Sequence, residues 1–125
     1  MRVAVIGATG NVGTALLRAL AEEDAVDSIV GIARRLPAGD APKTKWKQAD
    51  ISRDDLEPVL SGADCVVHLA WLIQPSRDET VTYATNVRGS ARVFDAAAPR
   101  RPPRRPRPRR RARAAGPCRR SRSLR

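Results

Sequence analysis

Three glycines, Gly7, Gly10 and Gly13, stand at even spacing among Ala8, Thr9, Asn11 and Val12, directly after the apolar run Val3-Ala4-Val5-Ile6. Glycine lacks a Cβ. The first can therefore turn sharply off a strand, the second can let an anion approach the backbone, and the third can let a helix lie close to a sheet. The free N–H groups at the start of that helix then face the anion, which is the chemistry of a dinucleotide pyrophosphate cradle formed by Gly7, Thr9, Gly10, Asn11, Val12 and Gly13. A glycine triplet also occurs in surface turns that bind nothing, so the flanks decide. Upstream lies a continuous apolar run, as in a strand covered on both faces. Downstream, Val12, Ala15, Leu16, Ala19 and Leu20 recur at helical spacing until Glu22, Glu23 and Asp24.

Three further groups could meet that cradle. The second apolar run, residues 28–33, ends in Arg34-Arg35. A dinucleotide site places its ribose-binding carboxylate there, about 20 residues beyond the glycines. A carboxylate would repel a 2′-phosphate, whereas a guanidinium pairs with it through charge-assisted hydrogen bonds. Arg34 and Arg35 thus favour NADP over NAD, the alternative being a solvated strand exit. Asp50 and Ile51 follow the third strand, where an adenine could hydrogen-bond to the carboxylate and lie on the apolar side chain. The other reading of Asp50 is a turn or cap residue. Leu69, Ala70 and Trp71 follow the fourth strand, where ribose and nicotinamide would pass. His68, the only histidine, reads as a packed residue rather than a base.

The elements that must hold these groups are legible in outline. Strands are expected at 3–6, 28–33, 45–49 and 63–70, with helices at about 12–22, at 52–60 behind a Ser52 N-cap, and at about 77–98. On the last helix Val81, Ala84, Val87 or Arg88, Ala91, Phe94 and Ala98 mark one face. Right-handed crossovers order the sheet 3-2-1-4, giving an α/β fold: the amino-terminal half of a doubly wound parallel sheet, with ligands at the switch between strands 1 and 4.

With those residues in place, the chain resembles the short-chain dehydrogenase/reductase superfamily, specifically its extended type, the NAD-dependent epimerase/dehydratases. The resemblance runs from residue 1 to about 98. It rests on Gly7-Ala8-Thr9-Gly10-Asn11-Val12-Gly13, Ala49-Asp50-Ile51, Gly62-Ala63-Asp64-Cys65-Val66-Val67-His68-Leu69-Ala70 and Thr85-Asn86-Val87-Arg88-Gly89-Ser90. It implies a Rossmann fold, NAD(P) on the glycine turn, adenine near Asp50 and Ile51, ribose near Leu69 and Ala70, and Asn86 ordering the site from its helix. A small-molecule substrate, such as a nucleotide sugar, is implied for the intact family. Ile6 stands where many members have Thr. The family's catalytic Ser or Thr and its Tyr-x-x-x-Lys pair are absent: the single tyrosine, Tyr83, is followed four positions later by Val87, and no lysine follows Lys47. Without them no positioned group moves the proton that accompanies hydride transfer, so the chain is expected to bind cofactor but not to turn over.

Charge divides the 125 residues into two unlike parts. Residues 1–98 hold 11 Lys and Arg against 13 Asp and Glu, whereas residues 99–125 hold 13 Arg and no acid, so the net charge of +11 belongs to the tail. With no β-branched or aromatic residue the tail cannot build a core and is expected to be disordered. As a genuine basic arm it would neutralise nucleic-acid phosphates, although it has no aromatics for base stacking. A reading-frame shift near residue 98 in a G+C-rich gene accounts for both its composition and the missing catalytic pair. Cys65, within an apolar run, reads as a small buried hydrophobe, and Cys118 lies in the tail. A disulfide is not expected. With no signal peptide and no membrane-length apolar stretch, the expected compartment is the cytoplasm.

Overall fold

The computed structural model describes residues 1–73 and 78–98. The expectations for the tail, for Cys118 and for a helix beginning at Arg77 lie outside the described residues. Four parallel strands, β1 (Arg2–Ile6), β2 (Ser28–Ala33), β3 (Thr44–Gln48) and β4 (Cys65–His68), form one sheet in the order β3-β2-β1-β4. This is the expected 3-2-1-4 arrangement of a Rossmann-type α/β fold. β1 pairs with β2 from Arg2↔Ser28 to Ile6↔Ile32 and with β4 from Val3↔Cys65 to Ile6↔His68.

Because side chains alternate along a strand, β1 feeds two cores. Val3 and Val5 pack with Ala8, Leu17, Val26 and Ile29 beneath α1 (Asn11–Glu22). Ala4 and Ile6 pack on the opposite face with Val30, Ile32, Ile51, Leu60 and Val93, under α2 (Glu57–Leu60) and the last helix. That last helix comprises α3 (Glu79–Tyr83), a π-helical segment Ala84–Gly89, and α4 (Ser90–Ala97). No helix among the described residues is long and apolar enough to cross a membrane.

Three local expectations are corrected. Ser52 does not cap a helix: its N–H and its hydroxyl both donate to Asp50 Oδ1, at 2.9 and 2.7 Å, which ties residues 50–54 into a turn and delays the helix until Glu57. Cys65 is exposed rather than buried, because β4 is an outer strand and nothing among the described residues covers its start. The expected apolar face of the last helix points away from the sheet: Val81, Val87 and Phe94 are exposed, while Thr85, Asn86, Gly89 and Val93 turn inward. Within the π-helical segment the inward face is small and polar, because it lies close to Ile51 and reaches the chain after β4. A Cβ on Gly89 would come within 2.8 Å of Ile51 Cγ1.

Candidate functional site

β1 delivers the chain to Gly7, whose φ of 84° lies in the left-handed region that favours glycine. A Cβ there would also sit 2.8 Å from the Ala70 nitrogen and 2.9 Å from the Leu69 carbonyl carbon, so a side chain is excluded twice over. The N–H groups of Gly7 and Ala8 donate to the Ile32 carbonyl at 2.9 and 3.2 Å, fastening the turn to β2. Gly10 is the N-cap of α1, with no side chain hydrogen-bonded to the helix start and no acidic residue in the first turn. The first N–H groups of a helix have no intrahelical partner, so Asn11, Val12 and Gly13 present donors and the positive end of the helix dipole to any anion beside Gly10. A Cβ on Gly13 would fall on the Gly7 carbonyl oxygen and on Ala8, which is why helix and turn can touch here.

The turn opens into a cleft of about 600 Å³ at the carboxyl ends of the strands, the size range of small-molecule sites. Gly7, Thr9 and Gly10 line one wall, Arg34 and Arg35 a second, Asp50 and Ile51 the floor beyond β3, and Leu69, Ala70 and Trp71 the rim after β4. Asn11 and Val12 are exposed at the start of α1, outside the cleft lining, and Gly13 is buried behind the turn. Asn86 does not line the cleft either. It is 7% exposed and its side chain brackets Leu72, with Leu72 N–H donating to Oδ1 at 2.8 Å and Nδ2 donating to the Leu72 carbonyl at 3.0 Å. Asn86 thus acts as a substitute strand partner for the rim.

Several lining residues were not assigned to the site from sequence, among them Thr85, Arg53 and Leu72. Thr85 enters the cleft because the π-helical segment turns both it and Asn86 inward. The signal was its place one residue before Asn86. Arg53 reaches the cleft from the 50–54 turn, with Nε 3.7 Å from Asp50 Oδ2. Its signal was proximity to Asp50 and Ile51.

Asp50 is the turn organiser that was one of the two readings weighed for it, and it also lines the cleft. Burial raises its pKa, but the two hydrogen bonds from Ser52 and the charges of Arg53 and Arg34 outweigh that, holding the carboxyl below its ordinary 3.8. Three guanidiniums, Arg34, Arg35 and Arg53, thus share the cleft lining with a single carboxylate, which leaves the cleft suited to an anionic ligand. His68 lies outside the lining: Nε2 meets Ser90 Oγ at 2.9 Å, and the ring stands edge-on to Phe94 at 6.2 Å. Burial pushes its pKa below 6.5, so it is neutral at neutral pH and packs as a bridge from β4 to α4.

A parallel sheet with a glycine turn, an uncapped helix start and a cationic cleft at the strand ends defines a nucleotide-binding module of the Rossmann type. The family model described as the NAD dependent epimerase/dehydratase family matches residues 3–107, continuing past residue 98, and the chain belongs to that family. A comparison with curated proteins found no match.

Among solved structures, the chain is similar to a uronate dehydrogenase from Agrobacterium tumefaciens, a Y136A mutant complexed with NAD, at 22% identity and a TM-score of 0.66. That alignment covers 77% of this chain and 36% of the other. The nucleoside-diphosphate-sugar epimerase from Agrobacterium tumefaciens is 28% identical with a TM-score of 0.64, over 77% and 32% of the two chains. The UDP-glucuronic acid 4-epimerase from Bacillus cereus, in complex with NAD, is 25% identical with a TM-score of 0.64, over 77% and 35%. The chain thus spans about a third of the length of these structures.

Proposed function

We propose that the cleft binds a nicotinamide adenine dinucleotide, NADP in preference to NAD, and that this chain supplies the cofactor-binding portion of an epimerase-, dehydratase- or reductase-type oxidoreductase without completing its catalysis. The observation that carries this reading is the uncapped start of α1 opening beside Gly10 into a cleft whose β2 wall is Arg34 and Arg35. The pyrophosphate would take the N–H groups at the start of α1, the 2′-phosphate the two guanidiniums, and the adenine the Asp50–Ile51 floor, with the nicotinamide end toward Leu69, Ala70, Trp71 and Thr85. The bound cofactor supplies hydride transfer. This chain contributes binding and orientation, since it holds no Tyr-x-x-x-Lys pair to move the accompanying proton. The names of the two epimerases similar to this chain support a sugar nucleotide as the substrate.

Isothermal titration calorimetry of the whole chain with NADPH and with NADH tests the reading. NADPH is expected to bind at least about tenfold more tightly, the equivalent of one charge-assisted contact. Replacing Arg34 and Arg35 together by Ser should erase that ratio. Equal affinities in the native chain would overturn the NADP preference, and no binding of either would overturn the cofactor reading. Turnover of a UDP-sugar with either nucleotide would overturn catalytic incompleteness.

The 13 arginines of residues 99–125 favour a second reading, a nucleotide-binding module whose basic arm contacts nucleic acid. DNA affinity that falls steeply with salt and is lost on deleting residues 99–125 would support it.

A further inference from the structure

Arg53 is the one guanidinium of the cleft that does not leave from the end of β2. It belongs to the turn that closes residues 50–54, where its N–H donates to the Asp50 carbonyl at 3.1 Å and Asp54 N–H donates to the same carbonyl at 2.9 Å. Asp54 Oδ2 in turn accepts the Asp50 N–H at 2.7 Å, so the backbone beneath Arg53 is held on both sides. The side chain above it is not. It is 78% exposed and reaches Asp50 Oδ2 at 3.7 Å and Asp54 Oδ1 at 4.0 Å, both longer than a hydrogen bond. The Asp50 carboxylate, 18% exposed, has Oδ1 occupied by Ser52, whereas Oδ2 is the oxygen nearer Arg53, and both residues line the cleft. A planar cation with a loose tether thus stands beside the acceptor oxygen, in the same cleft lining as the apolar Ile51 floor that the cofactor reading assigns to the adenine.

We infer that Arg53 is a specificity residue for the adenine base: its guanidinium lies over the outer face of the ring, while Asp50 Oδ2 accepts from the ring's amino group and Ile51 supports the inner face. The inference rests on the cofactor reading above and adds to it a residue and a mode of contact. Guanidinium is the cation best suited to the task, being flat, weakly hydrated and inclined to stack on aromatic faces. The contact is independent of the 2′-phosphate, so it treats NADPH and NADH alike.

The test is calorimetric titration of the full chain, as native protein and as R53Q and R53K, with NADPH, NADH and reduced nicotinamide mononucleotide, which lacks the adenosine half. R53Q should weaken NADPH and NADH by the same factor, about two- to fivefold, and leave the mononucleotide unchanged. R53K keeps the charge and loses the plane, so it should show most of the same loss. Unchanged dinucleotide affinities in R53Q would overturn the inference, as would a loss confined to NADPH, which would make Arg53 a phosphate ligand. Full recovery in R53K would reduce its role to charge and overturn the inference too. If the native chain binds neither dinucleotide, the cofactor reading fails first, a result distinct from all of these. Thermal denaturation of each variant guards against misfolding; the exposed side chain leads us to expect native-like transitions.

Discussion

The two flanks of β1 are finished to different degrees. On one side, β2 and β3 extend the sheet to an outer strand whose sequence is Thr44-Lys45-Trp46-Lys47-Gln48, and lysines on an edge strand discourage pairing with another chain. Lys47 Nζ also donates to the Pro58 carbonyl at 3.0 Å, tying that edge to α2. On the other side, β4 ends the sheet with Cys65-Val66-Val67-His68, which carries no formal charge at neutral pH, and the neighbouring helix leaves Val81, Val87 and Phe94 in solvent. The cleft straddles the two. Its Arg34, Asp50 and Arg53 wall stands on the self-sufficient flank, whereas its rim is tied to β1 through the Leu69 N–H on the Ile6 carbonyl at 2.8 Å and, at its far end, to the Asn86 bracket on Leu72. A ligand site can thus be anchored on a charged, self-sufficient edge at one end while the last residue of its other end, Leu72, is held by one amide side chain.

The comparison breaks most severely at the turn shared by both flanks. G13V forces a branched side chain into the Gly7 carbonyl and should cost about 3 kcal/mol, read as a lowered urea midpoint by circular dichroism. A native midpoint would mean that α1 does not need its close seat. On the β4 flank, N86A removes both hydrogen bonds to Leu72 and should cost about 2 kcal/mol. Deuterium uptake should rise at the Leu72 amide and stay slow at Ile29 and Val30. Faster exchange at those β2 amides would show that the flanks are not separable.

The same flank carries the pH response nearest neutrality. His68 has a folded pKa below its ordinary 6.5, so the unfolded chain takes up the proton first and stability declines as pH falls below 6.5. Asp50, held below 3.8, adds its own loss only in the more acidic range below that value. Thermal melts between about pH 7.5 and about pH 5.5 should show the His68 slope, and H68N should flatten it. The smallest effect on stability is expected from C65K, within about 0.5 kcal/mol at an exposed position. Placing a lysine on the bare edge should nevertheless reduce self-association in sedimentation velocity, and K45V on the guarded edge should increase it.

Sequence reading succeeded where local pattern and burial coincide. The apolar run at 28–33 is β2 itself, and the glycine turn sits where its spacing indicates. It failed where a neighbour in space overrides the pattern. Ser52 has the chemistry of a cap, but the Asp50 carboxylate two residues earlier captures it. The apolar stripe of the last helix suggested a buried face. The helix buries Thr85, Asn86 and Gly89 instead, because only a glycine clears Ile51 and only an amide can bracket Leu72 through both of its groups. Arg53 and Thr85 were not assigned to the cleft for a related reason: one enters through the 50–54 turn and the other through the π-helical segment, geometries that residue spacing does not encode.

The placement of the two tryptophans gives this chain a built-in pair of optical reporters. Trp71 is 60% exposed on the cleft rim, whereas Trp46 packs against the apolar layer under α1, with its indole nitrogen buried. Their emission should separate into a long-wavelength component from the rim and a short-wavelength component from the interior. Occupancy of the cleft would dim the first, loss of the α1 layer would redden the second, and one spectrum would record both events in the unlabelled protein.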